Sequence, residues 1–269
     1  MILGFDHVTL PFVDAALGAR LLEPLGYRTA FLERDAPNRP EKSPFLRRYA
    51  PAHDLALCRS PHGPAIEVIS YGSALGPAGP AACLPVFSDP AAGEPTTDPL
   101  LARSGQAVAA RAWRLPALGA DCLAAAPAAV AANRIVLPSG DLEAAARFWE
   151  LGLTAKPQEA SAPGAATLRL ASPVPAWRLE VTLVSGRPDV PAFLDDPGFA
   201  CPALLTNRIE EDLARAAALA AASSGVFELG LNGRTLRVAL LRGPDGALVE
   251  LVQIVTAGDA PRRDIPGRT

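Results

Sequence analysis

The chain has very little lysine: Lys42 and Lys156 stand against 23 arginines in 269 residues. This is the bias of a GC-rich bacterial coding sequence, and it excludes no function. Cysteine is also scarce. Cys58, Cys83, Cys122 and Cys201 are widely spaced, with no C-x-x-C pair. That excludes a small disulfide-stapled scaffold and leaves free, buried thiols in a cytoplasmic protein as the expectation. No apolar run approaches the ~20 residues that cross a bilayer. The opening MILGFDHVTL has no basic leader and reads directly into a strand, so no signal peptide is expected. A formal net charge of −3 provides no basic field, which argues against nucleic acid or a membrane surface as a partner. There is no P-loop, no G-x-G-x-x-G, no G-x-S-x-G elbow and no H-E-x-x-H.

What the chain does contain is a globular composition, 49% hydrophobic and 20% charged, and a near-repeat. Residues 5–26, FDHVTLPFVDAALGARLLEPLG, return in altered form at 133–152, NRIVLPSGDLEAAARFWELG. In the first copy Phe5, His7 and Thr9 alternate with Asp6, Val8 and Leu10, the period of a two-faced strand. Pro11 ends it, Asp14 is placed to cap a helix, and Gly26 stops that helix. Strands are then predicted at 27–33, 54–59 and 65–71, giving the order β-α-β-β-β. The second copy repeats this order with Arg134–Leu137 as strand, Asp141 as cap, Phe148 and Trp149 as helix core, and strands at 166–171 and 177–184. A third unit is predicted as strand 201–206, helix 210–222 and strands 225–229, 234–241 and 247–255. The Pro244-Asp245-Gly246 turn joins its last two strands.

Residues 81–130 fit less well. The segment 82–89 resembles 200–207, and 108–115 offers a strand, so this stretch is taken as a unit that has lost much of its helix. The segments 72–82 and 116–132 are rich in Ala, Gly and Pro and read as connectors, and the arginine-bearing end beyond Gly258 reads as a loose tail. The expected organisation is α+β, with paired β-α-β-β-β units forming half-open curved sheets and helices outside. One domain would span 1–130 and contain the eroded unit; the second would span 131–257; 258–269 would be the tail. The concave inner faces are then available for a small-molecule ligand.

The texts FDHVTLPFVDAALGARLLEPLGY and IVLPSGDLEAAARFWELGL, with the ending RGPDGALVELVQI, resemble the vicinal oxygen chelate superfamily, which includes glyoxalase I, extradiol dioxygenases, epimerases and bleomycin-resistance binding proteins. The resemblance covers nearly the whole chain outside roughly 72–130 and implies a glyoxalase-like fold. It also implies metal ligands from the first strand of a unit (His or Gln) and from its last strand (Glu). Carried over, His7 and Glu67 fall on those positions. The second copy would place Arg134 and Glu180 there, and the third Cys201 and Glu250. An extradiol site would read Arg134, Cys201 and Glu250, which lacks both histidines. The resemblance therefore implies lyase, isomerase or dioxygenase chemistry on a small oxygenated metabolite, assisted by Fe, Mn, Ni or Zn at His7 and Glu67, with Glu67 and Glu250 as proton carriers. The alternative is a metal-free binding or antibiotic-sequestering protein, with Arg134, Glu180 and Cys201 lining a ligand pocket. Either form is expected as a monomer or homodimer.

The residues themselves leave several roles open. His7 is a ligand, a base, or a histidine hydrogen-bonded within the cavity. Arg134 either pairs with Glu180 in the vacated metal place or grips a substrate carboxylate or phosphate. His53 and His62 offer further ligands for a site with His7, against the commoner role of surface histidines. Cys83 and Cys201 are thiolate ligands or small buried hydrophobes. Glu250 joins His7 and Glu67 only if the first unit pairs with the last.

Overall fold

The computed structural model describes all residues except 62, 73–74, 76–81, 89–92, 126–132, 159–161, 187–189 and 256–269. His62 and the tail beyond Gly258 therefore lie outside the described residues. The first unit comprises β1 (Ile2–Pro11), α1 (Ala15–Leu21), β2 (Arg28–Pro37), β3 (Ala52–Arg59) and β4 (Ile66–Ser70). The second comprises β5 (Leu84–Ser88), β6 (Glu94–Pro95), α2 (Pro99–Ala107), β7 (Arg111–Leu115) and β8 (Ala120–Ala125). The third has β9 (Asn133–Ser139), α3 (Leu142–Arg147), β10 (Lys156–Pro157), β11 (Ala165–Leu170) and β12 (Leu179–Ser185). The last has β13 (Cys201–Thr206), α4 (Ile209–Ala217), β14 (Ala222–Leu231), β15 (Arg234–Arg242) and β16 (Leu248–Ile254).

The expected caps are in place. The Asp14 carboxylate accepts the Leu17 N–H at 2.8 Å and Asp141 that of Ala144 at 3.0 Å, each satisfying an orphan donor of a helix first turn. Gly26 closes the first helical region at φ +79°, a conformation that costs glycine little. Two expectations fail. The second unit keeps a nine-residue helix, α2, capped by Asp98, and the supposed connector 116–132 contains strand β8. Both sit in Ala-rich text whose periodicity is weak, so tertiary packing rather than local signal makes them regular.

Two eight-stranded sheets result, in the orders β14-β15-β16-β13-β1-β4-β3-β2 and β10-β11-β12-β9-β5-β8-β7-β6. The first unit pairs with the last through antiparallel β1 and β13, and the second with the third through β5 and β9. A cut at residue 130 leaves each sheet drawing strands from both sides of it. The convex faces share one continuous core. Val8, Ile66, Leu204 and Leu251 of the first sheet join Ile135, Leu137, Val181 and Leu183 of the second, with Ala19, Trp149 and Ile209 from the helical segments between them. Burying such side chains is worth about 1.5–3 kcal/mol each, so this layer is the main source of stability.

The concave faces differ. In the second sheet, Leu101 of α2 and the adjoining Val108 pack against Leu84, Val86, Leu123, Val136 and Val184, so α2 fills the concavity instead of covering the outside. In the first sheet only one end is closed, by Phe45, Leu46, Ala192 and Leu194, which pack on Leu55, Tyr71, Cys201 and Leu240. The rest remains an open cavity. Among the described residues no helix is long and apolar enough to cross a membrane.

Candidate metal centre

Position on β1 decides which side chain faces the cavity. Phe5 pairs with Leu204 but His7 with Ala203, so Asp6 is an extra residue, a bulge that inverts the alternation. Phe5 therefore joins the convex core instead of sharing the His7 face as the period-2 pattern predicts. His7 and Thr9 point into the concavity. Parallel β4 places Glu67 beside Thr9, and β16, two strands away on the other side, places Glu250 opposite Ala203, which itself faces His7.

Three donors converge here. His7 Nε2 lies 3.6 Å from Glu67 Oε2 and 3.7 Å from Glu250 Oε2, and the ligand atoms of all three lie within 4.8 Å of one another. These separations are too long for good hydrogen bonds. They suit an ion bonded at about 2.0–2.2 Å to each donor, which holds neighbouring donors roughly 3–4 Å apart. His7 is 5% exposed, and its Nε2 is a buried polar atom with no hydrogen-bond partner among the described residues. Its other nitrogen, Nδ1, lies 3.0 Å from Asp6 Oδ2. With Nδ1–H donating to that carboxylate, the Nε2 lone pair faces the two glutamates, the usual support of a metal-bound imidazole. One imidazole and two carboxylates form a nitrogen–oxygen set suited to Fe, Mn, Ni or Zn, and three protein ligands leave coordination places open for a substrate.

The electrostatics of the ion-free site concentrate negative charge around His7. Burial works against a charged His7, but the Glu67 charge and contacts to Asp6, Glu250 and Glu67 outweigh it and raise its pKa well above the ordinary value. Burial also disfavours a charged Glu67, yet His7 above all, with Lys42 and His53, holds it down to about 2. In the ion-free site the positive charge at this meeting point is a proton on His7, which a metal ion would displace. The Thr9 hydroxyl reaches Glu67 Oε2 at 3.5 Å and accepts from the Cys201 thiol at 3.7 Å.

The remaining sequence candidates fall elsewhere. Cys201 pairs with Thr9 rather than with His7 and is fully buried, which pushes its thiol up to about 12, so it is a packed thiol and not a thiolate. Cys83 lies in the convex core. His53 is buried at one end of the concavity, its ring centre 6.0 Å from that of Tyr71, and burial with the Lys42 charge lowers its pKa to about 4.

Arg134 occupies the place equivalent to His7, each standing four residues before the proline that closes its strand. Glu180 is not the equivalent of Glu67. Pro11 pairs with Ile69 and Pro138 with Val184, so Thr182 matches Glu67, and Glu180 lies two residues short on the same face. The β5 register likewise puts Leu123 where β16 has Glu250. Arg134 Nε donates to Glu180 Oε1 at 2.9 Å and its Nη2 to the Val108 carbonyl at 3.2 Å, while Arg169 approaches Glu180 at 3.5 Å. In the second concavity an ion pair therefore stands where the first has its three donors, beside an open hollow of about 780 Å³ lined by Val108, Arg134, Arg169, Glu180 and Thr182.

One functional candidate escaped sequence reasoning. Lys42, in the Pro40–Phe45 turn after β2, is 4% exposed and lines the same cavity as His7, Glu67 and Glu250. Its only sequence signal is that it is one of two lysines in an arginine-using chain.

No protein-family model matches the chain, and no curated protein does. Solved structures do. Glyoxalase I from Zea mays superposes with a TM-score of 0.59 over 93% of this chain and 92% of that one, at 17% identity. A putative dioxygenase from Bacillus subtilis gives 0.56 over 97% and 86%, at 11% identity. At these identities the likeness shows the fold alone, which is the glyoxalase-like one that the sequence resemblance implies.

Proposed function

We propose that the chain is a divalent-metal-dependent enzyme of the lyase, isomerase or dioxygenase kind, acting on a small oxygenated metabolite in the first sheet's concavity. The observation that carries this is the convergence of His7, Glu67 and Glu250 on one buried point, with His7 Nε2 left without a hydrogen bond among the described residues. A bound Fe, Mn, Ni or Zn ion would supply Lewis-acid polarisation of two neighbouring ligand oxygens.

The chain's own residues have distinct parts. Asp6 fixes the tautomer and orientation of His7 through Nδ1. Glu67, within reach of the Thr9 hydroxyl and titrating near 2, is a weak base and a good permanent anion. Glu250 has no side-chain hydrogen bond among the described residues and lines the cavity, so its Oε atoms are the ones placed to take a proton from a ligand carbon and return it. The leucine and valine walls, among them Leu55, Leu229 and Val238, exclude water from that transfer.

Elemental analysis after reconstitution with Fe, Mn, Ni and Zn tests the reading, with His7→Ala as control. Stoichiometric metal that disappears in the variant supports it. Absence of metal under all four conditions overturns it and leaves the metal-free binding protein, whose ligand would occupy the same cavity.

A further inference from the structure

The cavity around His7 has a volume of about 270 Å³, and its ionisable lining is Asp6, His7, Lys42, Arg59, Glu67, Arg234 and Glu250. Three carboxylates there face three cations. With a divalent ion on neutral His7, Glu67 and Glu250, the two ligand carboxylates are neutralised by the metal, and the lining carries two positive charges in excess. Arg59 and Arg234 are exposed and hydrated. Lys42 is not: it is 4% exposed and its ammonium makes no hydrogen bond or ion pair among the described residues; it lies 5.9 Å from the Phe227 ring centre and is attracted by Glu67 without direct contact. Burying an ammonium without an anion is costly.

The turn that carries Lys42 is firmly held, so the side chain cannot simply withdraw. Its N–H donates to the Arg39 carbonyl at 3.0 Å, and the Phe45 carbonyl accepts from the Leu194 N–H at 2.8 Å. Phe45 is fully buried beneath the Arg242 guanidinium, and Arg242 also donates to the Pro44 carbonyl at 3.2 Å. A cation held in the cavity wall with no anion in direct contact marks a place for an anion.

From this geometry we infer that Lys42 anchors an anionic group of the ligand, so that the substrate class is a small acid. Its carboxylate or other anionic oxygen pairs with Lys42, a compact aliphatic body lies on the leucine wall, and two neighbouring oxygens face His7, Glu67 and Glu250. The chelating half of the ligand and the excess of positive charge rest on the metal-site reading; the placement of a buried, uncontacted Lys42 in the cavity wall does not. A lysine serves as a point charge here, tolerant of carboxylate or phosphate geometry.

The probes are succinic and glutaric monohydroxamic acids, which join a two-oxygen chelating head to a separate carboxylate. They are compared with the corresponding primary amides by calorimetric titration of Mn- or Ni-loaded protein. The acid should bind roughly tenfold or more tighter than its amide, the scale of one charge-assisted contact. Lys42→Met should abolish that preference while leaving metal content and acetohydroxamate affinity unchanged, and Lys42→Arg should keep part of it. No acid–amide preference in the parent protein, or a preference that survives Lys42→Met, overturns the inference and leaves Lys42 as a counter-charge for Glu67. If the protein takes up no metal, 4-methylpentanoate against 4-methylpentanamide replaces the hydroxamates. A preference lost in Lys42→Met then upholds the anchor while the metal reading falls; equal binding sinks both.

Discussion

Replacing Glu250 with Gln keeps the shape of the site but removes one of its two negative donors. Ligand binding to the folded state alone stabilises by RT ln(1 + [L]/Kd), about 2.7 kcal/mol when free metal stands at 100 Kd. For 269 residues unfolding with about 2.1 cal/mol/K each, that raises Tm by about 5 °C. Loss of a supporting hydrogen bond to a ligand already weakens metal sites by about 10–100-fold, and loss of a charged ligand should cost at least the upper figure. At 100-fold weaker binding the same metal concentration gives only about 0.4 kcal/mol, less than 1 °C. The assay is differential scanning calorimetry of chelator-stripped protein with and without Mn, Ni or Zn, each variant compared with its own metal-free curve so that any change in intrinsic stability cancels. A Glu250→Gln protein that keeps the full metal-dependent shift would refute the three-donor site, and with it the idea that the last unit completes what the first begins.

Further outcomes follow from groups around the centre. His53 titrates near 4 in the folded chain against about 6.5 unfolded, so the unfolded state binds the extra proton and acid destabilises. The stability held above pH 6.5 is lost as pH falls towards 4, by about 2 kcal/mol between pH 7 and 5; urea titrations at both values should show His53→Gln lacking that increment, and an unchanged slope would contradict it. Arg134→Met breaks an ion pair whose side chains are 15% and 22% exposed and whose glutamate keeps Arg169 at 3.5 Å. The cost should be about 1 kcal/mol by urea denaturation with metal binding unaltered, and loss of metal in this variant would show that the second sheet holds the site. Gly4 sits at φ +146°, and an added Cβ would come within 2.7 Å of Trp177 Cβ. Gly4→Ala should therefore cost about 3 kcal/mol, visible as a lowered Tm, and a neutral result would mean that the junction between the sheets yields easily.

The strand–turn–helix repeat was legible because its signals are local. Pro11 and Pro138 close strands, Asp14 and Asp141 three residues later cap helices, and these words recur at the same spacing. Facing was legible only where the backbone is regular. The bulge at Asp6 reverses Phe5, and nothing in the alternation of 5–10 announces it. Register between strands is set by pairing across the sheet, so matching the glutamates by their apolar neighbours put Glu180 in the place that Thr182 holds. Lys42 was illegible as a neighbour of His7, and Glu250 legible only on the condition that the first unit pairs with the last, for the same reason: sequence periodicity shows which face a residue takes, not which of four similar units lies across from it.

The pairing of first unit with last explains why, among the described residues, one concavity holds the candidate centre and the other does not. Each site draws its His7-like and Glu67-like positions from one unit and its Glu250-like position from the unit paired across the central strands. In the first sheet those positions are His7, Glu67 and Glu250; in the second they are Arg134, Thr182 and Leu123. A leucine offers no ligand atom, a threonine only a neutral hydroxyl, and an arginine repels a cation. Once such a concavity no longer binds an ion, its dry apolar positions favour being covered. α2 does this with Leu101, while Arg134 reaches Glu180 and the Val108 carbonyl instead of a ligand. The cover requires that the helix of the second unit leave the convex layer, and that layer is filled by the segments of α1, α3 and α4. The second sheet supports the shared core, and the candidate centre lies in the sheet where the first unit meets the last.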